Sequence, residues 1–414
     1  MNCIADQNPP RVLLLVPART YRAADFLAAA GRMGLDFLVG SDGALPLGGR
    51  PVVHVSGGDL PASADRIMAL GTRFDAVVAA DSPMLVLAAV VAEQMGLPHN
   101  PVQAVIAAAS KAEQRRRWAA AAVPQPEFRV VPAAASNDAL RKATAGAGFP
   151  CVVKAVSLSA SQGILRADDL ATAVTSARRI RRILAAAGRP AHEPLLVEEY
   201  VPGPELSIDG LLTNGDLAVT AIFDKPCASD GPTFEETVLI TPSRLPMQVQ
   251  AAAMATAEGA ARALGLIHGP IHAELRIDQR RRQPQPVMLE LAARSVGGLC
   301  SRALRFAGGM SLEELVLANA LGRPTPRARQ ARPSGVLMLP VPRRGMLRAV
   351  DGRSDAAAVP GITGLTITIP IGQRLHPLPD GDRYLGFIFA EGGTPEEVQK
   401  ALTTARGQLR VIIQ

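Results

Sequence analysis

Aromatic side chains are scarce, 3% of 414 residues with a single tryptophan. A core of this size must therefore be built from aliphatic side chains and alanine. Four cysteines, Cys3, Cys151, Cys227 and Cys300, lie far apart without a CxxC pair, which excludes a metal ribbon and a disulfide framework. No run of about 18 uncharged apolar residues is available to span a bilayer. The amino terminus lacks the basic-then-apolar layout of a signal peptide, so a cytoplasmic protein without membrane contact is expected. No G-x-G-x-x-G follows the first apolar run, so the dinucleotide fingerprint is absent. Internal repeats and low-complexity tails are absent too.

What is abundant is arginine, and the net charge is +7. A basic chain attracts phosphates without sequence preference. The arginines concentrate in Arg115–Arg117, Arg178–Arg182 and Arg280–Arg282. Solvated helix faces and an exposed turn explain all three groups, and no aromatics interleave with them to stack on bases. Nucleic acid is not an expected partner. The length exceeds one compact core and calls for about two to four domains or subdomains.

Arg11–Val16 is a continuous apolar run, as in a strand buried on both faces of a parallel sheet. Helical patterns over Tyr21–Met33, Ala64–Leu70 and Met84–Met95 alternate with strand patterns at Leu35–Val39, Val52–Val55 and Phe74–Ala80. That alternation predicts an open doubly wound α/β sheet, with ligand-facing turns at Arg19–Arg22, Ser41-Asp42 and Asp81-Ser82. Asp42 and Asp81 read more simply as ordinary helix-cap or turn residues. Val102–Ala122 is helix-rich and breaks at Val123-Pro124-Gln125-Pro126.

The most informative stretch is His272–Gly298, HAELRIDQRRRQPQPVMLELAARSVGG. Two strand patterns flank a turn-rich segment. A period of two sends His272, Glu274 and Arg276 to one face of the first strand, and Glu290, Ala292 and Arg294 to one face of the second. Pairing that sets Glu274 beside Glu290 is costly unless a cation lies between them. Oxygen ligands on rigid strands suit Mg²⁺. Upstream, Pro150–Lys154 ends a strand in a lysine, and a loop of small residues, Ala155–Gly163, offers backbone N–H groups to phosphate. Leu195–Leu206, LLVEEYVPGPEL, adds a strand with two glutamates, a tight turn and a third glutamate.

These motifs, in this order, resemble the ATP-grasp superfamily, and within it the carboxylate–amine ligase branch that includes L-amino acid ligases. The resemblance spans nearly the whole chain. It implies an ATP-grasp fold: an N-terminal Rossmann-like pre-ATP-grasp domain over residues 1–110, a small lid subdomain over 111–200, a large subdomain with the metal hairpin over 201–333, and a C-terminal α+β module over 334–414. That last module completes the central sheet and borders a homodimer contact in such proteins. By the same resemblance Lys111 and Lys154 hold ATP phosphates, Glu198 faces the adenine amino group, the backbone of Glu199 and Val201 reads the adenine edge, and Glu205 accepts a ribose hydroxyl. Glu274 and Glu290 bind Mg²⁺ or Mn²⁺, and Arg294 stabilises the reacting acyl group. Two positions depart from the pattern: Ala292 stands where an asparagine is usual, and Ala155 where a proline often follows the lysine.

The implied reaction is ADP-forming: ATP converts a small carboxylate to an acyl phosphate, and an amine displaces phosphate to give an amide. Lys225, Glu235, Glu236 and Ser243, on the long segment Asp224–Pro246, are candidates to recognise the substrates, together with Gly297 and Gly298. His272 is a candidate base, although a histidine on a half-buried strand is commonly structural. A carboxylase or purine-precursor ligase of the same fold, and an ATP-binding regulator that has lost catalysis, are the alternatives.

Overall fold

A computed structural model describes residues 9–45, 51–132, 137–190, 192–226, 230–280, 282–325 and 332–414. Cys3, Cys227, Arg281 and half of the proline- and arginine-rich connector Gly322–Ser334 lie outside them.

The first apolar run becomes β1 (Arg11–Leu15), followed by α1 (Ala23–Arg32), β2 (Asp36–Ser41), β3 (Val52–His54), α2 (Leu60–Met68), β4 (Ala76–Ala79) and α3 (Leu85–Gln94). All pairs are parallel and the order is β3-β2-β1-β4. The order reverses beside β1, so the turns after β1 and β4 flank the crevice where open sheets bind ligands. Val12 to Leu15 are fully buried, as a strand covered on both faces requires.

The helix-rich segment splits into α4 (Val102–Ala108) and α5 (Lys111–Ala120). The Ser110 hydroxyl accepts from the Glu113 N–H and so starts a new helix. Then come β5 (Phe128–Val131), α6 (Asn137–Ala147), β6 (Cys151–Ala155), β7 (Ile164–Ala167), α7 (Leu170–Ala186) and β8 (Leu195–Glu199). They form a small antiparallel sheet, β5-β8-β6-β7, with α7 packed on β6 and β7.

β9 (Glu205–Thr213) and β10 (Asp216–Lys225) are joined by the Asn214-Gly215 turn, both residues having the positive φ of a type I′ hairpin. β11 (Val238–Thr241), α8 (Met247–Leu264), β12 (Gly269–Asp278), β13 (Gln285–Ala292) and α9 (Leu312–Ala320) follow. The last part contains β14 (Ser334–Leu339), β15 (Gly345–Asp351), α10 (Arg353–Ala358), β16 (Ile362–Ile367), β17 (Arg374–Leu375), β18 (Gly386–Glu391), α11 (Pro395–Gln408) and β19 (Arg410–Ile413). One eight-stranded antiparallel sheet, β13-β12-β9-β10-β11-β14-β18-β16, runs through both parts. Among the described residues, no helix is long and apolar enough to cross a membrane.

Candidate active site

The site lies where β12 and β13 face the small sheet. Glu274 and Glu290 are direct cross-strand partners, and a bulge follows at Leu289, where the register shifts between Glu274 and Leu275. A bulge re-aims the side chains beside it. Here both Leu289 and Glu290 line a cleft with Val152, Lys154, Glu198 and Tyr200. A larger open groove, about 2380 Å³, lies at the far end of β9 and β12 beside Thr213 and His268; it contains none of the residues singled out from sequence.

Each carboxylate has a lysine. Lys111 Nζ lies 3.0 Å from Glu290 and donates to the Leu158 carbonyl, inside the small-residue loop, at 2.6 Å. Lys225 Nζ is enclosed by Glu205 at 2.9 Å, Glu274 at 3.4 Å and Glu236. Burial opposes its charge, but the three carboxylates win and hold the ammonium well above the usual lysine range. Glu274 is driven the other way: burial disfavours its charge, and Lys225 and His272 outweigh that, holding it far below the usual carboxylate range. The ligating atoms of Glu236, His272 and Glu274 lie within 4.8 Å of one another.

His272 Nδ1 is 3.0 Å from Asp209, whose other oxygen accepts the Val296 N–H at 2.7 Å. Burial lowers the imidazole pKa, yet Asp209 and Glu274 raise it to about 9. Both ring nitrogens thus face carboxylates, Nε2 lying 3.5 Å from Glu274.

Deeper in, Arg115 Nε and Lys154 Nζ each lie 2.6 Å from one oxygen of Glu198. The Glu198 and Arg115 side chains are 1% exposed. Burial raises the Glu198 pKa and the two cations more than reverse it, so the carboxyl stays ionised. Burial lowers Lys154 despite Glu198. Arg115 also donates to the Leu289 carbonyl at 2.7 Å and lies over the Trp118 ring. Lys111 and Arg115 are thus buried, contrary to the solvated helix face expected for Arg115. Four residues apart on α5, they point together toward the hairpin.

Glu205 accepts from Arg276 at 2.9 Å as well as from Lys225, and Arg276 reaches the Val201 carbonyl at 3.1 Å. Glu199 pairs with Arg280 at 2.5 Å. Arg294 lies across the parallel-sheet crevice, donating to Ser82 at 2.9 Å and lying 3.6 Å from Asp81. A Cβ at Gly297 would meet the Arg294 guanidinium at 3.5 Å, and one at Gly298, where φ is +61°, would lie 2.8 Å from the Phe387 ring. Gly298 therefore needs glycine's bareness, whereas a Cβ at Gly297 would make only ordinary contact. Ser243 is not part of the cluster. It donates to Asp224 at 2.5 Å, and Asp224 and Lys225 are consecutive on β10 and so point to opposite faces. Asp42 accepts the Ala18 N–H at 2.7 Å and Asp81 accepts the Ser82 N–H at 2.9 Å, as turn residues do. Arg22, in the expected ligand-facing turn Arg19–Arg22, donates to the Ala80 carbonyl at 2.8 Å and to Ser295 at 2.6 Å, whereas Asp209 carried no signal in the sequence.

Residues 147–303 match the ATP-grasp domain family, and residues 337–414 match L-amino acid ligase C-terminal domain 2. The L-amino acid ligase of Bacillus licheniformis superposes with a TM-score of 0.81 at 25% identity, covering 99% of this chain and 100% of that one. Alanine–anticapsin ligase of Bacillus subtilis is 26% identical over 54% of this chain and 49% of its own length. Carnosine synthase 1 of Gallus gallus is 28% identical over 66% of this chain and 30% of its own. The chain thus spans half or less of these two relatives. The chain thus carries an ATP-grasp domain and shares its fold with ligases. Its C-terminal domain match and its match over the whole fold are to L-amino acid ligases.

Proposed function

We propose that the protein condenses two small amino-acid-like molecules, activating the carboxylate of one as an acyl phosphate and adding the amine of the other. The observation that carries this reading is the union, around Glu274 and Glu290, of paired carboxylates, phosphate-directed lysines and an arginine facing the parallel-sheet crevice. In this reading Lys154, fixed by Glu198, and Lys111, braced on the small-residue loop, bind the ATP phosphates. Glu198 keeps lone pairs for the adenine amine, the Glu199–Val201 backbone follows the base edge, and Glu205 meets the ribose. The donor set fits Mg²⁺ or Mn²⁺: two adjacent carboxylates on rigid strands. Glu274 and Glu290 would hold the ion, which neutralises phosphate charge when bound.

The substrate carboxylate oxygen attacks the γ-phosphorus, and ADP leaves. The amine then attacks the acyl carbon, passes through a tetrahedral oxyanion and expels phosphate. Arg294, anchored by Ser82, supplies charge to that oxyanion. His272 keeps its proton and, with Asp209, fixes the orientation of Glu274. Lys225 and Glu236 border the substrate side, and Gly297 and Gly298 leave room beside Arg294. Residues 1–110, 111–200, 201–333 and 334–414 are retained as working units of a cytoplasmic homodimer. The test is phosphate release from purified protein given ATP, Mg²⁺ and pairs of amino acids, with mass spectrometry of positive pairs. A pair-dependent amide supports the reading; ADP formation that no pair stimulates favours the regulator.

A further inference from the structure

The small sheet meets the last part of the chain at Asp380. Arg179, on α7, donates Nε to Oδ1 at 3.2 Å and Nη2 to Oδ2 at 3.0 Å. Gln162, in the small-residue loop between β6 and β7, donates to the Asp380 carbonyl at 3.2 Å. One residue thus receives both the phosphate-directed loop and the helix that backs it. The two contacts cross 218 and 201 residues of sequence, so only tertiary structure creates them.

The turn that presents Asp380 is fixed from behind. The N–H groups of Asp380 and Gly381 donate to the Pro377 carbonyl at 3.2 and 3.0 Å. A Cβ at Gly381 would lie 2.0 Å from the His376 carbonyl, so only glycine permits this turn. A few residues on, Arg383 lies 5.7 Å over the Tyr21 ring, and Tyr384 packs edge-on against Phe387 at 6.0 Å. Phe387 in turn meets Tyr21 at 5.5 Å. The turn is therefore anchored both to the central sheet and to the N-terminal sheet, a rigid post against which a moving lid can be fastened.

We infer that Asp380 is a positioning residue, a latch that fastens the phosphate loop and α7 over the bound nucleotide through Gln162 and Arg179. It touches no reacting atom. Its consequence rests on the ligase reading: a lid held shut keeps water from the acyl phosphate until the amine arrives. Arg179 and Asp380 are 40% and 32% exposed, so the latch is modest in strength and releasable, as turnover requires.

The test uses the full-length chain with Asp380→Ala, Arg179→Ala and the double variant. Stopped-flow release of a fluorescent ADP analogue is followed together with the amide formed per ADP. Each single variant should release nucleotide about three- to fivefold faster, the scale of a partly exposed two-pronged pair. Each should also form less amide per ADP, and the double variant should be no worse than either single. Wild-type release rates in both singles, or independent effects that multiply in the double, would overturn the latch. Should the wild type form no amide with any pair, the ligase reading fails, while nucleotide release still decides the latch.

Discussion

Glu198 pairs with both Arg115 and Lys154, one on each carboxylate oxygen. Removing its charge leaves two buried cations uncompensated, which costs about 3–5 kcal/mol. Glu198→Gln should therefore lower the melting temperature. The pH dependence has a definite sign: the folded pKa of Glu198 lies below its unfolded value. Its stabilisation is present above about pH 4.3, the unfolded value, and is lost as pH falls through the folded pKa. Acid titration of stability should be shallower in the Gln variant; equal slopes would show that the pair carries no such linkage. Lys154→Ala should weaken ATP binding by about 1.5–3 kcal/mol, the scale of charge-assisted contacts, and calorimetry giving unchanged affinity would remove Lys154 from the site. Arg294→Ala should cost about 10²–10³ in kcat with little change in KM for ATP, because its charge meets the oxyanion only as it forms. Arg294→Lys should recover little, lacking the planar fork. A raised KM with kcat intact would make Arg294 a nucleotide anchor. At this scale charge partners were only partly legible: the alternation around Glu274 is in the sequence, but Asp209, which fixes the protonation of His272, is brought up by β9 from a distant segment.

Among the elements, the β12–β13 hairpin shows how far pattern reaches. Alternation gave the strand faces of Glu274 and Glu290 but not the register, which sets them directly opposite each other. The bulge at Leu289 was not legible, since an extra residue leaves a continuous apolar run, Val287-Met288-Leu289, unchanged in character. Nor was the face of Ser243, whose loop position gives no period to follow. Glu290→Gln preserves shape and strand pairing while removing charge. It should abolish turnover with a normal melting curve, whereas a normally folded variant with wild-type turnover would exclude a metal role.

At the scale of the whole molecule, β14, β16 and β18 extend the sheet that carries the β12–β13 hairpin. The C-terminal residues are therefore part of the scaffold of the site. β17 and β19 are not legible in sequence, because short strands flanked by polar residues carry little periodicity. A homodimer predicts twice the mass of the chain by light scattering across a dilution series, and a constant single-chain mass would contradict it. The central claim, that a substrate carboxylate is phosphorylated before the amine attacks, has a direct test in oxygen transfer. With a carboxylate labelled by ¹⁸O, one labelled oxygen should appear in the phosphate released, with one ADP per amide. Unlabelled phosphate, or AMP and pyrophosphate in place of ADP and phosphate, would contradict it.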